Sequence, residues 1–234
     1  MDVTITSRAG DLAGYLAPAL GEGNRPGIVV LHDITGTNDD TKGYADRFST
    51  AGYTALAPDL YSRGGRSFRC IRSMYRQLEA GRGEAFEDIE ASRQLLMNRA
   101  DSSGTVGIVG FCMGGGFALL AATAGFQASA PYYPSVKTDR YDALHGACPI
   151  VASFGSEDVF LEKDSARRLE LKLNTEDVIS DVKEYPGVGH SFANRPSSIA
   201  YAVVAGLMRS RYNHDASEDA WRRVLAFFDR HLRA

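Results

Sequence analysis

Cys112 lies at the centre of a short glycine-flanked motif, Gly110-Phe111-Cys112-Met113-Gly114. An apolar run, residues 106–109, precedes it, and a stretch of small residues follows. This is the Gly-x-Ser-x-Gly pattern of a nucleophile held on a sharp strand-to-helix turn, with sulfur in place of the serine oxygen. Glycines at these positions let the strand and the helix approach without collision. The pattern predicts that Cys112 is a nucleophile.

Three other interpretations of this turn are weaker. Its glycine spacing does not fit a dinucleotide-binding Gly-x-Gly-x-x-Gly loop, and no Gly-Lys-Ser/Thr follows for a phosphate-binding loop. A buried structural role is what free cysteines most often have, and it suits Cys70 and Cys148. A redox function would need a Cys-x-x-Cys pair or a nearby resolving cysteine, which the sequence does not show.

An acidic residue and a histidine follow Cys112 along the chain. A thiol with a pKa of about 8.5 is mostly protonated at neutral pH and needs a base or a positive neighbour. Asp158 comes after one apolar run and His190 after the next. The chain order nucleophile, acid, histidine is the one expected for this kind of turn. We therefore predict a triad of Cys112, Asp158 and His190.

Other acids and histidines are weaker candidates. Glu157 is a rival for the acid, and Asp164 better suits the first residue of a helix. His32 ends an early apolar run and is expected to line the site rather than act as the base. The remaining histidines are interpreted as surface residues: His145, His214 and His231.

Two backbone amides are predicted to form an oxyanion hole. A helix that begins just after Cys112 offers the N–H of Met113, and its positive end favours a thiolate and a developing oxyanion. The second donor is expected in the loop after the early strand, where we assign it to Ile34.

Apolar runs alternate with helical patterns along the chain. The patterns predict a hairpin from residues 3–6 and 13–17, strands at 27–32, 53–59, 105–109, 128–133, 149–154 and 182–185, and helices at 41–50, 83–99, 117–123, 164–173, 199–211 and 218–231. Residues 61–82 are interpreted as irregular with a short helix. This alternation predicts one α/β domain over residues 1–234, with a mostly parallel central sheet and helices on both faces. Site residues should lie in loops at the carboxyl ends of the strands.

Composition excludes several classes of function. The chain has 234 residues and a net charge of -3, with no basic block of the kind that tracks phosphates, so nucleic acid is not an expected partner. No apolar run approaches the roughly 18 residues that cross a bilayer. Three cysteines without a disulfide framework, and no signal peptide, predict a cytoplasmic protein. We expect no metal and no cofactor.

These motifs together resemble the dienelactone hydrolase family, the carboxymethylenebutenolidase-like branch of the α/β-hydrolases. The resemblance runs in order and spacing from about residue 25 to residue 232, and the cysteine turn is its most specific element. Other matching segments surround Asp158 and His190, follow the early strand at residues 33–36, and occupy residues 58–63. The resemblance implies an α/β-hydrolase fold without a large lid and the triad named above.

Two positions depart from the family's pattern. The family enzyme that opens dienelactone uses a glutamate beside the thiol, and Asp33 stands at that position here. It also holds its substrate carboxylate with two arginines. Arg63 resembles the first, whereas the second falls at Asn194, with Arg195 one residue later. The resemblance thus assigns thiol activation to Asp33 and substrate binding to Arg63, Asn194 and Arg195. Asparagine in place of the second arginine removes one of the two charge-assisted contacts with a substrate carboxylate.

The chemistry of a thiol narrows the substrate class. When a thiolate adds to an ester, the intermediate expels its better leaving group, and a thiolate leaves before an alkoxide whose conjugate acid lies near the pKa of water, about 15.7. Enol esters, enol lactones, aryl esters and thioesters have leaving groups that can depart. We predict hydrolysis of a small activated ester or lactone, with or without a carboxylate, through a thioester acyl-enzyme. The alternatives are a broader carboxylesterase or thioesterase, a non-catalytic ligand-binding member of the fold, and a thiol redox sensor.

Overall fold

An eight-stranded sheet forms the centre of the computed structural model, which describes residues 1–21, 23–195 and 211–233. The strands are β1 (Asp2–Ser7), β2 (Gly10–Ala17), β3 (Arg25–Leu31), β4 (Thr54–Pro58), β5 (Ser102–Phe111), β6 (Ala128–Tyr132), β7 (Ile150–Gly155) and β8 (Ser180–Tyr185). Their order in the sheet is β1-β2-β4-β3-β5-β6-β7-β8. The pairings of β2 with β1 and β4 are antiparallel, and the others are parallel. The predicted mostly parallel sheet is confirmed.

From β3 onward, helices of the described residues connect most of the strands, with two helices between β4 and β5. They are α1 (Asp39–Thr50), α2 (Phe68–Ala80), α3 (Glu84–Met97), α4 (Met113–Leu120), α5 (Ser165–Thr175) and α6 (His214–Leu232), with short 3-10 segments at Ala121–Thr123 and Thr138–Leu144. None of the helices in these ranges is both long and apolar enough to span a membrane.

Helices cover both faces of the sheet. A Cβ added at Gly27 would touch Leu96 of α3, whereas one at Gly107 would touch Leu232 of α6. Gly107 pairs across the ladder with Ile28, the neighbour of Gly27. Since neighbouring residues of a strand point to opposite faces, α3 and α6 lie on opposite sides of the sheet. This double cover explains why the central strands have continuous apolar sequences.

Aromatic contacts complete the two helical layers. On the face of α6, Phe48 of α1 lies edge-on to Trp221, with ring centroids 4.7 Å apart. On the other face, Phe86 of α3 lies edge-on to Phe117 of α4 at 5.1 Å. The core therefore consists of two apolar layers separated by the sheet. The carboxyl ends of the parallel strands lie together at one edge of that sheet.

Two helical predictions need correction. The segment predicted as irregular with a short helix instead contains the 13-residue helix α2. Ser67 caps this helix through the amide of Cys70, and it ends at Gly81 in a left-handed conformation (φ 66°). The helix after the nucleophile turn begins at Met113, as the turn motif predicts, and not at residue 117, where the apolar pattern placed its start. Its first turn is built from three glycines that have little helical signal of their own. The predicted helix 199–211 lies outside the described residues except for its last residue.

Candidate active site

Cys112 occupies a strained turn between β5 and α4. Its backbone has φ 54° and ψ -114°, a combination that residues other than glycine seldom adopt. The surrounding structure stabilises this turn, because the carbonyl oxygen of Cys112 accepts hydrogen bonds from the amides of Gly116 and Ser135, each at 3.0 Å. The side chain consequently points away from the strand, at the start of the helix.

Glycine is required on both sides of this turn. A Cβ at Gly110 would lie 2.1 Å from the carbonyl oxygen of Gly114, and a Cβ at Gly114 would lie 2.4 Å from the carbonyl oxygen of His32. Contacts this short are forbidden for any side chain. The two glycines are therefore required for packing, because they let the backbones of β5, α4 and the end of β3 come into contact next to Cys112.

Asp158 and His190 meet beside the turn. The Nδ1 atom of His190 lies 2.7 Å from Oδ2 of Asp158, and both side chains are buried. Oδ1 of Asp158 accepts from the amide of Phe160 at 2.9 Å, which fixes the carboxylate. The two loops touch closely, since a Cβ at Gly155 would lie 2.4 Å from the carbonyl oxygen of Val188.

The electrostatics of His190 favour its protonated form. Burial of the ring disfavours a positive charge, but the negative charge of Cys112 and hydrogen bonds to Asp158 and Cys112 outweigh it and raise the pKa of His190 to about 10. An imidazolium beside the sulfur stabilises a thiolate. The geometry thus brings together a thiol, an imidazole and a carboxylate, the three kinds of group that covalent catalysis of this type requires.

Two further side chains contact the sulfur. Ser135 places its Oγ 3.4 Å from Sγ of Cys112. The hydroxyl of Tyr75 hydrogen-bonds with both Ser135 and Cys112, and burial together with the charge of Cys112 raises the pKa of Tyr75, which keeps the phenol protonated. These groups can therefore donate hydrogen bonds to a thiolate.

Asp33 organises the loop after β3 instead of contacting the thiol. Its Oδ1 accepts from the amide of Thr35 at 2.7 Å and from the hydroxyl of the same residue. Within the described part of the chain, no hydrogen bond joins Asp33 to the sulfur of Cys112. In this structure the carboxylate stabilises the loop that carries Ile34, and the activation of the thiol by Asp33 stays a prediction.

His32 also holds the loop after β3 in place. Its ring is fully buried, with Nδ1 2.7 Å from the carbonyl oxygen of Asp33 and Nε2 accepting from the amide of Leu60 at 3.1 Å. Burial lowers the pKa of His32, so the ring is neutral and Nδ1 carries the proton. His32 thus joins the loops after β3 and β4 and is already bonded through both nitrogens.

The two predicted oxyanion donors occupy suitable positions. Met113 is the first residue of α4, so its amide has no acceptor within the helix. Ile34 lies in the loop held by Asp33 and His32, and its side chain is exposed. Both amides are therefore in backbone segments that the surrounding hydrogen bonds hold in place.

Comparison with known proteins identifies the family. The model of the dienelactone hydrolase family matches residues 12–232. The chain belongs to the dienelactone hydrolase family. It is 28% identical over 254 residues to a putative carboxymethylenebutenolidase of Synechocystis, covering 99% of this chain and 96% of that protein. It is 29% identical to the carboxymethylenebutenolidase of Rhodococcus opacus, covering 95% and 88%.

Solved structures share the fold of this dienelactone hydrolase family member. A dienelactone hydrolase-like promiscuous phosphotriesterase from metagenomic libraries has a TM-score of 0.84 at 20% identity, covering 99% of this chain and 98% of that one. A putative dienelactone hydrolase from Klebsiella pneumoniae has a TM-score of 0.80 at 20% identity, covering 97% of each. The predicted family, α/β-hydrolase fold and hydrolase class are confirmed.

Arg63, to which the dienelactone hydrolase resemblance assigned a substrate role, is engaged inside the protein. One guanidinium nitrogen binds Oδ2 of Asp88 at 2.5 Å, and another donates to the carbonyl oxygen of Gly10 at 3.1 Å. Because the Asp88 side chain is only 2% exposed, Arg63 neutralises a buried carboxylate. This ion pair gives Arg63 a structural role, and its contact with the substrate stays a prediction.

Asn194 is likewise engaged inside the protein. Its Oδ1 accepts from the hydroxyl of Tyr133, and its Nδ2 donates to Oδ2 of Asp40 at 2.6 Å. These two bonds occupy the amide that was predicted to face the substrate. Arg195 stacks on the ring of Tyr212 at 5.1 Å and remains beside a cleft.

That cleft, of about 730 Å³, is lined by two more arginines: Arg47, which pairs with Glu218, and one that sequence reasoning did not select. Arg66 lines it together with Arg195, and Arg66 donates to the carbonyl oxygen of Thr35, next to Ile34. Arg66 thus contacts the loop that carries the predicted oxyanion donor Ile34. It lies three residues after Arg63, the arginine that matched the family segment.

Proposed function

We propose that this protein hydrolyses small activated esters or lactones with Cys112 as nucleophile, His190 as proton carrier and Asp158 as the residue that orients the imidazole. The observation that carries this proposal is the strained turn of Cys112 next to a buried His190–Asp158 pair with an Nδ1–Oδ2 distance of 2.7 Å. The membership of the dienelactone hydrolase family supports it.

In the first half of the reaction, the thiolate of Cys112 attacks the carbonyl carbon of the ester. The developing oxyanion would accept hydrogen bonds from the amides of Met113 and Ile34. The carbonyl re-forms as the bond to the leaving oxygen breaks, and the imidazolium of His190 protonates that oxygen. The raised pKa of His190 suits this step, because the ring carries a proton before the attack.

In the second half, the neutral ring of His190 takes a proton from water as the water attacks the thioester carbonyl. The tetrahedral intermediate then expels the sulfur of Cys112 as a thiolate, and the acid product leaves. His190 is again an imidazolium, with Asp158 holding its Nδ1 throughout.

The substrate must have a good leaving group. A thiolate departs more readily than a simple alkoxide, so unactivated alkyl esters would mostly return to starting materials. Enol lactones, enol esters, aryl esters and thioesters would go forward. Relatives named carboxymethylenebutenolidase favour a lactone, and the guanidinium of Arg66, which reaches the loop of Ile34, is a cation that could bind a carboxylate on the substrate.

Kinetics on aryl esters with graded leaving groups test the proposal. Cys112→Ala and His190→Ala should each lower kcat/KM by about 1,000-fold or more, because each removes a member of one catalytic unit. Cys70→Ala is the matched control, since Cys70 contacts Ser67 and Gly64 rather than the triad. Wild-type rates in either triad variant would contradict the proposal, and equal rates for aryl and alkyl esters would favour a broader esterase.

A further inference from the structure

We propose that a second, smaller pocket beside Cys112 binds an uncharged apolar arm of the ester substrate. This pocket, termed the side pocket, has a volume of about 260 Å³. Its walls include Tyr75 and Leu78 of α2, Ser135 and Val136 after β6, and Phe160 and Leu161 after the proposed triad acid. The proposal rests on the proposed function, because it assigns a substrate part to the same nucleophile.

Two side chains that line the side pocket contact the sulfur of Cys112. Ser135 lines the pocket, and its Oγ lies 3.4 Å from Sγ of Cys112. Tyr75 also lines it, and its hydroxyl hydrogen-bonds with the same sulfur. A group attached to the carbonyl under attack at Cys112 would therefore enter the side pocket past the hydrogen-bonded hydroxyls of Tyr75 and Ser135.

The side pocket also borders the proton carrier. The ring of Phe160 lines the pocket and lies 5.0 Å from the ring of His190, centroid to centroid. Phe160 is 48% exposed, although large aromatic side chains are usually better covered. An apolar ligand arm in the pocket would cover this ring and exclude water from the imidazole.

The charges at the rim favour a neutral occupant. Two carboxylates and two cations stand there: Glu79, Glu162, Lys137 and Arg140. Lys137 pairs with Glu79 at 3.2 Å, and Glu162 accepts hydrogen bonds from Thr138 and Arg168. Opposite charges therefore cancel around an apolar interior formed by Leu78, Val136 and Leu161.

The volume of the side pocket limits the size of the arm. Since a water molecule takes about 30 Å³ in the liquid, the pocket corresponds to roughly nine waters. That space suits an arm on the order of six carbon atoms. The cleft of about 730 Å³ beside Arg66 and Arg195 is a separate space with a different lining.

Leu161→Trp and Leu171→Trp form a matched pair for the test. Leu161 lines the side pocket, whereas Leu171 is 55% exposed on α5. With 4-nitrophenyl acetate, butyrate and hexanoate, the wild type should have kcat/KM rising with chain length. Leu161→Trp should remove most of that rise, about 10-fold at hexanoate, and leave acetate within 2-fold; Leu171→Trp should behave as the wild type.

Thiol labelling tests the side pocket without requiring hydrolysis. The thiolate of Cys112 attacks the sulfenyl sulfur of an alkyl methanethiosulfonate, an S–S bond to the alkylthio group forms, and methanesulfinate leaves. The ratio of hexyl to methyl labelling rates, read by mass spectrometry on the Cys112 peptide, should fall about 10-fold in Leu161→Trp only. Leu161→Ala should instead shift the preferred arm to a longer one.

The outcomes separate the two proposals. If both Trp variants keep the wild-type dependence on chain length in both assays, the side pocket is refuted even if ester hydrolysis persists. If no ester is hydrolysed but the labelling ratio falls in Leu161→Trp alone, the side pocket stands and the hydrolytic function fails.

Discussion

The ring of Tyr133 packs against the ring of His190, with centroids 5.0 Å apart. Tyr133 is fully buried and has φ 36°, a conformation uncommon for a residue with a side chain. Its hydroxyl donates to Asn194, which in turn donates to Asp40 near the start of α1. The position of the proposed base therefore depends on a hydrogen-bonded chain that begins outside the triad.

Asn194→Ala should weaken catalysis through this chain. The hydroxyl of Tyr133 would lose its acceptor, which would lower the free energy of unfolding by about 1–3 kcal/mol. The ring of Tyr133 would then hold the ring of His190 less firmly. We expect kcat on an aryl ester to fall about 10-fold with a smaller change in KM, because a misplaced base lowers the rate more than binding. Asn174→Ala, on the exposed face of α5, is the matched control. A change in KM alone would indicate substrate contact instead.

Gly110→Ala should be strongly destabilising. The added Cβ would lie 2.1 Å from the carbonyl oxygen of Gly114, so the turn must open. We expect a loss of unfolding free energy of about 3 kcal/mol or more, measured by urea denaturation. Gly43→Ala provides the comparison, because its Cβ would meet nothing within 4 Å and alanine favours a helix by up to about 1 kcal/mol. Equal stability of the two variants would contradict the packing argument.

Substitutions of Arg63 and Arg66 should have different effects, the first on stability and the second on substrate binding. Arg63→Ala leaves the carboxylate of Asp88 buried without its cation, at an expected cost of about 3 kcal/mol. Arg66→Ala removes a cation of the cleft and should raise KM for an aryl ester that bears a carboxylate, but not for its neutral analogue. Stability and KM are measured for both variants. A selective rise in KM for Arg63→Ala would restore its predicted substrate role.

The contribution of His190 to stability should depend on pH. Its pKa is raised from an ordinary 6.5 to about 10 in the folded protein, so folding favours its protonated form. The stabilisation is complete below about pH 6.5 and is lost as the pH rises towards 10. The difference in unfolding free energy between wild type and His190→Gln should therefore shrink from pH 6.5 to pH 10. His145→Gln, at an exposed ring, is the control; a constant difference would contradict a charged His190.

Much of this arrangement follows from local patterns in the sequence. The turn of Cys112 needs glycine on both sides, and the structure shows the backbone contacts that impose this requirement. The loops of Asp158 and His190 come together because their strands, β7 and β8, are parallel neighbours whose carboxyl ends share one edge. Periodicity and chain order are sufficient for such features.

Other residues depend on contacts that no local pattern reveals. Arg63 matches a family segment and lies in a turn, but its partner Asp88 is 25 residues away on α3. Tyr75 was missed because arginines obscured the apolar spacing of Ile71, Met74, Tyr75 and Leu78 on α2, which would have predicted a buried face. Ser135 follows the end of β6, and this position at the carboxyl edge was its only signal.

The acyl-enzyme is the species that tests the central claim most directly. Wild-type protein mixed with an activated aryl ester, quenched in acid within milliseconds and digested should carry one acyl group, as a hydroxylamine-sensitive thioester on the peptide that contains Cys112. His190→Ala should acylate far more slowly, and Cys112→Ala should carry none. An acyl group on another residue, or hydrolysis by Cys112→Ala at the wild-type rate, would contradict the account.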